Sequence, residues 1–235
     1  MLRTLPLNTA GRDFFTSDIH GCYDIFTAAL KAVKFNPDID RVICCGDVID
    51  QGPDSVSCLS LLEEPWFFSV KGDHESLAVY GMSRQRKDDV RVWAADGGSW
   101  FYKMPSDIQT LVTTKYRRLI IELPLAIQVP QLINNVVYQF GAIHAELPAG
   151  APWWSLSHDL ADYALLENHL LHGRHRIKTE DQSLIHGIDV VVSGHTPVPR
   201  PTAISNQVFI DCGSAFTDEI SLMTAAELLQ LVNSN

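Results

Sequence analysis

The chain has 235 residues, 46% of them hydrophobic, and carries 18 Lys and Arg against 28 Asp and Glu, for a net charge of −10. This acidic balance disfavours nucleic-acid binding, which depends on Lys and Arg neutralising phosphates. No apolar run reaches the roughly 18 residues that a membrane helix needs, and Met1 to Arg12 lack the apolar run of a secretory signal. We therefore expect a cytoplasmic protein that binds neither nucleic acid nor a membrane.

The first part of the chain alternates short apolar runs with helical patterns. Strands are predicted at residues 13–17, 41–45 and 66–70. Helices are predicted over residues 23–34 and 55–64 and from about residue 75. Strands that alternate with helices of roughly ten residues indicate βαβ units and a mainly parallel sheet.

The second part of the chain changes from helical to strand patterns. A polar helical stretch over residues 88–118 is expected to form an inserted cap or packing layer. Strands are predicted after it at residues 119–127, 136–143, 189–193 and 207–211, with loops at 150–157 and 173–183. The tail, residues 220–232, begins as a strand and finishes as a helix. We predict an α/β (α+β) protein with two β-sheets flanked by helices, in one domain over residues 1–235.

Five polar clusters each follow directly on an apolar strand. They are Asp18-Ile19-His20-Gly21, Gly46-Asp47-Val48-Ile49-Asp50-Gln51-Gly52, Gly72-Asp73-His74-Glu75, Gly141-Ala142-Ile143-His144 and Gly194-His195-Thr196-Pro197. Loops beyond the carboxyl ends of strands converge on the ligand in α/β sheets. Their glycines allow tight turns and close backbone approach. We therefore expect all five loops to meet in one site.

The residue types in these clusters indicate two metal ions. Carboxylate oxygens together with imidazole nitrogens suit Mn, Fe or Zn better than Ca. Asp18 and His20 lie two apart on an extended segment and are expected to hold one ion, with Asp47 bridging to the other. The second ion would be completed by Asp73, His144 and His195. Two ions roughly 4 Å apart activate a shared water and stabilise an in-line displacement.

Each motif also has a structural interpretation when taken alone. An Asp-x-His can be a simple turn, and a Gly-Asp pair often caps a helix N-terminus. The clusters taken together favour the metal site, because convergent His and Asp residues mark such sites. The histidines outside the clusters lie in polar segments and are expected on the solvated surface: His158, His169, His172, His175 and His186.

The motifs resemble the signature of PPP-type serine/threonine protein phosphatases. Asp18-x-His20-Gly21, Gly46-Asp47-x-x-Asp50-x-Gly52-Pro53, Gly72-x-His74-Glu75 and Gly194-His195-Thr196-Pro197 all match it. The small size, Gly97-Gly98-Ser99-Trp100-Phe101 and Phe209-Ile210-Asp211-Cys212-Gly213 are similar to the compact bacterial and bacteriophage-lambda-type branch of this calcineurin-like metallophosphoesterase superfamily. The resemblance extends from about Asp13 to Met223.

The resemblance implies a fold, a metal set and a mechanism. The fold would be a four-layer α/β/β/α arrangement of two mixed sheets between helices. Asp18, His20 and Asp47 would hold the first of two divalent ions, with Mn²⁺ preferred over Fe or Zn. The ligands of the second ion would be Asp47, Asp73, His144 and His195.

The catalytic roles also come from the resemblance. His74, oriented by Asp50, would be the general acid that protonates the leaving alkoxide. A metal-bound hydroxide would attack phosphorus directly, without a covalent intermediate. The expected substrates are phosphoproteins or phosphopeptides at serine or threonine, with tyrosine and small phosphoesters left open.

Three positions depart from the family pattern, and two of them change the charge. Gln51 stands where an Arg normally binds the substrate phosphate, and a neutral amide cannot replace a guanidinium fork. Asp73 stands where Asn is usual, and Lys71 stands where Arg is common, which keeps the charge. Arg174 matches the remaining phosphate-binding Arg, and the residues predicted to bind the substrate phosphate are Arg174, Lys71 and Gln51. With Gln51 and Asp73 the site is two units more negative than the pattern, so we expect tighter metal binding and a raised KM.

Other chain cations and other functions stay open at this point. Arg84, Arg86 and Arg176 are candidates to supply the missing positive charge. One alternative function is a dinucleoside polyphosphate hydrolase of the same fold, although the second Asp of the Gly-Asp motif, here Asp50, is typically absent from it. Another is a non-catalytic module that binds phosphate or metal, against which the His74–Asp50 pair argues.

Overall fold

The computed structural model describes residues 1–157 and 163–234 of the chain. Within them the strands are β1 (Leu2–Thr4), β2 (Asp13–Thr16), β3 (Arg41–Cys44), β4 (Phe67–Ser69), β5 (Ala126–Ile133), β6 (Val136–Ile143), β7 (Val190–Ser193), β8 (Thr202–Ile204), β9 (Gln207–Phe209) and β10 (Leu222–Thr224). The helices are α1 (Tyr23–Ala32), α2 (Ser55–Ser60), α3 (Asp73–Ser83), α4 (Lys87–Trp93), α5 (Ser99–Lys103), α6 (Ser106–Leu111), α7 (Arg117–Glu122), α8 (Tyr163–His172), α9 (His175–Thr179), α10 (Ser214–Thr217) and α11 (Ala225–Asn233).

The strands form two mixed sheets. One has six strands in the order β1-β5-β6-β7-β9-β8, and the other has four in the order β10-β2-β3-β4. In the smaller sheet β2, β3 and β4 run parallel, while β10 is antiparallel to β2. In the larger sheet β6, β7 and β9 run parallel. The carboxyl ends of the parallel strands in each sheet therefore lie together at one edge.

The side chains of each strand alternate between an inner and an outer core. Phe15 of β2 packs between the sheets against Phe140 of β6, with ring centroids 5.6 Å apart. Its neighbour Phe14 points the other way and packs with the helix residue Phe26. The larger sheet covers its own outer face with α8 in the same manner. The prediction of two mixed sheets flanked by helices, in four layers, is confirmed.

Most predicted strands and helices agree with the structure to within a few residues, but two ranges need correction. The strand predicted at residues 119–127 is wrong over its first half, because residues 117–122 form α7 and β5 begins only at Ala126. Ile120 is buried on a helix, and a short apolar run cannot distinguish a buried helix from a strand. The loop predicted at 173–183 contains α9, and β1 and β8 were not predicted.

Over the residues that the structure describes, no helix combines the length and the apolar character needed to cross a membrane. His158, which the sequence places on the solvated surface, lies outside these described residues.

Candidate active site

The predicted metal ligands all follow the ends of parallel strands. Asp18 and His20 follow β2, Asp47 follows β3 and Asp73 follows β4 in the smaller sheet. The larger sheet contributes His144 after β6 and His195 after β7. All except the half-buried Asp73 are buried. The two sheets therefore bring residues from five distant segments to one end of the sandwich.

Several of these side chains are held on strained backbone. Positive φ angles occur at Asp18 (47°), His20 (47°), Asp47 (52°) and His195 (66°). A residue with a Cβ pays roughly 1–2 kcal/mol in this left-handed region. Interstrand hydrogen bonds hold the loops there: the backbone N–H of Asp18 donates to Gly46 O at 3.1 Å, and that of His20 to Asp47 O at 2.9 Å. Such strain typically persists at functional sites.

Glu75 joins the second and third loops through its buried carboxylate. Its Oε2 accepts the backbone N–H groups of Asp47 and Gly72 at 2.8 and 2.9 Å, and its Oε1 accepts that of Val48 at 2.9 Å. Gly72 must lack a side chain, because a Cβ there would overlap the Asp47 carboxylate. Glu75 therefore fixes the loop that carries Asp47. The sequence signal was its place in Gly72-Asp73-His74-Glu75, but no role was predicted for it.

Four of the predicted ligands form one tight group. Asp47, Asp73, His144 and His195 can each offer one atom within 4.8 Å of all the others. His144 Nε2 lies 2.9 Å from Asp73 Oδ1 and 3.5 Å from Asp47 Oδ2. His195 Nδ1 lies 3.3 Å from Asp73 Oδ1. These four residues are the set that the sequence assigns to the second ion.

Two of the three predicted imidazole ligands are oriented as metal ligands usually are. His144 Nδ1 lies 2.8 Å from Cys45 O, and His20 Nδ1 lies 3.0 Å from Ile49 O. A ligating His commonly donates its second N–H to a backbone carbonyl, which leaves the other nitrogen for the cation. Burial, followed by the charge of His74, lowers the pKa of His20 to about 3, so its ring is neutral. These tautomers and the mixed N and O donor set fit divalent transition metals.

A second group overlaps the first at Asp47. It contains His20, Asp47 and His74, and His20 Nε2 lies 3.8 Å from Asp47 Oδ2. Asp18 is not in this group, although the sequence assigns it to the first ion. Its carboxylate instead accepts the backbone N–H of His195 at 3.1 Å and contacts the Ser17 hydroxyl. Burial and then the Asp211 carboxylate raise its pKa.

His74 and Asp50 form a buried pair beside these groups. His74 Nδ1 lies 2.9 Å from Asp50 Oδ2, and the ring packs edge-on to His20 with centroids 4.7 Å apart. Burial alone would lower the pKa of His74, but the hydrogen bond and charge of Asp50 raise it to about 9. His74 is therefore an imidazolium at neutral pH, with a proton to give.

A cavity of about 190 Å³ opens onto these groups. Four of the predicted ligands line it with His74, namely His20, Asp47, Asp73 and His195, whereas Asp18 and His144 do not. Further polar and aromatic side chains also line it: Gln51, Asp96, Arg174, Asp211 and Phe216. Gln51 Nε2 lies 3.3 Å from His74 Nε2, at the atom that would release the proton. Of the cationic residues predicted to bind phosphate, Arg174 lines the cavity.

The other predicted cations lie elsewhere. Lys71 Nζ donates to Ile121 O at 3.3 Å and does not line the cavity. Arg84 donates to Gln109 Oε1 at 2.6 Å, and the buried Arg176 donates to the carbonyls of Asp181 and Ser183 at 2.6 and 2.8 Å. Arg86 is the N-cap residue of α4 and also does not line the cavity.

Two residues near Arg174 were not assigned to the site from the sequence. His172 is 47% exposed, as expected for a surface histidine, yet its Nδ1 lies 3.6 Å from Asp73 Oδ2. Glu146 is buried, and its carboxylate accepts the backbone N–H groups of Arg176 and Ile177 at 2.8 and 3.1 Å. It thereby caps α9, whose N-cap residue is Arg174. Neither residue stands at a spacing from its partner that a sequence pattern would pair.

Comparison with known proteins agrees with this geometry. Residues 14–199 match the calcineurin-like phosphoesterase family. The chain belongs to that family. It is 30% identical over 205 residues to serine/threonine-protein phosphatase 1 of Salmonella typhimurium, a match that covers 87% of this chain and 88% of the relative. The predicted resemblance to the bacterial PPP-type branch is confirmed.

Two further matches describe the breadth of the family. A symmetrical bis(5'-nucleosyl)-tetraphosphatase of Aggregatibacter actinomycetemcomitans is 26% identical, over 72% of this chain and 55% of that protein. The structure of a protein serine/threonine phosphatase from Saccharomyces cerevisiae superposes with a TM-score of 0.58 at 17% identity, over 93% of this chain and 73% of the other. This structural likeness establishes the fold alone. The chain is therefore a metallophosphoesterase whose relatives differ in substrate.

Proposed function

We propose that the protein is a cytoplasmic phosphoprotein phosphatase that hydrolyses phosphoserine and phosphothreonine with two divalent cations, with phosphotyrosine as an open alternative. The observation that carries this proposal is that His74, paired with the buried Asp50, lines the same cavity as Asp47, Asp73 and two of the histidine ligands. A hydrogen-bonded acid beside a metal-ligand group serves ester cleavage, whereas a protein that only binds phosphate has no use for it.

The residues would share two cations. Asp18, His20 and Asp47 would hold the first, and Asp47, Asp73, His144 and His195 the second, with Mn²⁺ as the preferred metal and Fe or Zn as alternatives. Bound cations of this kind supply a water of lowered pKa and offset the charge that develops on the phosphoryl oxygens.

The protein side chains would perform the remaining steps. Arg174 would bind the phosphoryl oxygens at the cavity wall. The ester P–O bond breaks as a water oxygen bonds to phosphorus, and His74 Nε2 gives its proton to the leaving alcohol. Asp50 keeps His74 Nδ1 hydrogen-bonded throughout, which fixes the ring and favours its charged form. Gln51 lies beside Nε2 and would have to yield that position to the leaving oxygen.

A dinucleoside polyphosphate hydrolase is the second candidate. The similarity to the symmetrical bis(5'-nucleosyl)-tetraphosphatase supports it. Asp50 supports the phosphomonoesterase instead, because its carboxylate orients the acid that an alkyl leaving group requires. A nucleotide leaving group is already a weak base and needs that acid less.

The test compares both reactions in one preparation. Purified protein is supplied in turn with Mn, Fe, Zn and Mg, and the release of phosphate from phosphoserine, phosphothreonine and phosphotyrosine peptides is compared with ADP release from diadenosine tetraphosphate. We expect faster phosphate release, and a loss of about 10²–10⁴-fold in H74N. The matched control is H186N, because His186 is exposed and belongs neither to the ligand groups nor to the residues that line the cavity. Faster ADP release would favour the second candidate, and bound metal without any hydrolysis would favour a binding module.

A further inference from the structure

The carboxylate of Asp50 accepts hydrogen bonds from two tryptophans as well as from His74. Trp93 Nε1 donates to Asp50 Oδ2 at 2.8 Å, and Trp100 Nε1 donates to Asp50 Oδ1 at 2.7 Å. Asp50 and Trp93 are fully buried. Each oxygen of the carboxylate therefore has an indole donor, and Oδ2 is shared with His74 Nδ1.

The segment between the two tryptophans aims both indoles at the same group. Trp93 ends α4 and Trp100 lies in α5, and the helical path is interrupted at Asp96 and Gly97, where φ is −96° and +100°. A Cβ at Gly98 would collide with the Trp93 ring. The two indoles thereby meet edge to face, with centroids 6.1 Å apart, and both N–H groups point to Asp50.

Ordinary core packing does not account for this arrangement. A buried indole needs one acceptor, and Trp153, which is equally buried, finds a neutral one in Gln128 Oε1 at 2.8 Å. Trp93 and Trp100 instead converge on the charged group that orients His74. A carboxylate held by one hydrogen bond can rotate about its Cβ–Cγ bond, whereas three donors fix its plane. The fixed plane keeps Oδ2 opposite His74 Nδ1.

We propose that Trp93 and Trp100 are positioning residues for the leaving-group acid, acting through Asp50. The inference rests on the proposed function, since it assigns their contribution to protonation of the leaving oxygen. Loss of an indole N–H would let Asp50 turn and His74 lose its alignment with the ester. The cost should therefore grow as the leaving group becomes more basic and depends more on the acid.

The experiment measures kcat/KM of W100F for dinitrophenyl phosphate and phenyl phosphate, a good and a poor leaving group. We expect kcat/KM to fall about tenfold for phenyl phosphate and less than about twofold for dinitrophenyl phosphate, which is a smaller loss than the roughly 10²–10⁴-fold expected when the acid itself is removed in H74N. The matched control W153F also removes a buried indole hydrogen bond, but in the core beside α8. It should change both substrates by the same factor.

The outcomes separate this inference from the proposed function. If wild-type protein hydrolyses neither aryl phosphate, the proposed function fails first. The positioning role is overturned if wild type is active but kcat/KM of W100F falls equally for both substrates, falls more for dinitrophenyl phosphate, or does not fall. It is also overturned if W153F, like W100F, loses kcat/KM selectively for phenyl phosphate.

A second readout does not depend on turnover. In the indole N–H region of a ¹H–¹⁵N spectrum of metal-free protein, the Trp93 and Trp100 signals should move in D50N while the Trp153 signal stays in place. No movement of either signal would contradict the hydrogen bonds. Should W100F fail to fold, benzothienylalanine at position 100 replaces the N–H with sulfur and keeps the ring shape, so that the same substrate comparison can be made.

Discussion

Replacing Gln51 by Arg tests whether the phosphate pocket is limited by its missing positive charge. Gln51 is exposed and lines the cavity. Its φ of +62° is as unfavourable for Gln as for Arg, so the backbone strain should not change. The perturbation is therefore close to the addition of one guanidinium beside His74, in the cavity that Arg174 also lines.

The expected gain follows from the strength of charge-assisted hydrogen bonds. A hydrogen bond to a charged partner contributes about 1.5–3 kcal/mol, and 1.4 kcal/mol corresponds to about tenfold in affinity. Position 51 is open to solvent, which screens the charge, so the lower end applies. We expect Q51R to lower KM for p-nitrophenyl phosphate by about tenfold. We expect no increase in kcat, because a guanidinium close to His74 disfavours the charged imidazolium that donates the proton.

The assay is a set of initial rates with saturating Mn²⁺ at fixed pH and two ionic strengths. Q51K adds the same charge without the planar fork and should give a smaller decrease in KM. Q51L removes the amide without adding charge and should not lower KM. Added salt should reduce the benefit of Arg. An unchanged or higher KM in Q51R would refute the reasoning that charge limits substrate capture.

Three further predictions concern the metal group and stability. D73N should weaken Mn²⁺ binding by about tenfold in a chelator competition, because a unit of negative charge is lost. The control is D96N, since Asp96 lines the cavity but lies outside the ligand groups, and an equal loss of Mn²⁺ affinity in both variants would contradict the role of Asp73. Asp40 is buried and accepts hydrogen bonds from Arg12 and Asn36, which outweigh burial and lower its pKa. Its contribution to the free energy of unfolding is therefore present above about pH 4 and is lost as pH falls through the depressed pKa. In urea unfolding, D40N should lower the free energy of unfolding by about 1–2 kcal/mol at pH 7 and by less in acid. A loss of stability that does not change with pH would contradict this prediction. Addition of Mn²⁺ at 100 times its Kd should raise the free energy of unfolding by about 2.7 kcal/mol and Tm by about 5–10 °C. EDTA should reverse both effects in a thermal melt. Equal Tm values with and without metal would contradict a metal site in the folded state.

The sequence was sufficient for most of the fold because the patterns are local. Apolar strands end directly at polar, glycine-containing loops, and this regularity predicts both the parallel strands and where their ends converge. It failed at residues 119–127, where an apolar run belongs to a helix whose buried face includes Ile120. The short strands β1 and β8 lie at the edges of the larger sheet, where three residues carry too little pattern to be recognised.

The site was predictable to the extent that its residues stand in contiguous motifs. His74 and Asp50 come from such motifs, and their 2.9 Å contact agrees with the pairing that the resemblance implies. Trp93 and Glu146 could not be assigned, because their partners are 43 and 30 residues away in the sequence and no periodicity connects them. Lys71 shows that a motif position can also predict a contact that the structure does not form. Its place in the motif suggested a phosphate contact, but its Nζ donates to Ile121 O instead.

The structure also changes the meaning of the charge deficit in the site. Asp73 adds a carboxylate where the family pattern has an amide, but it does not stand unpaired. Burial alone would raise its pKa, whereas the hydrogen bonds of His144, His172 and His195 lower it strongly. In the metal-free protein the extra negative charge is therefore stabilised by protonated imidazole nitrogens, and a bound cation would replace the protons of His144 and His195 in that role. Among the residues that the structure describes, Lys71, Arg84 and Arg176 bring no comparable compensation to position 51, since all three are bound elsewhere. On the proposed function, substrate capture would then depend on Arg174 and on the bound cations, which would make metal occupancy and phosphate affinity inseparable in this site.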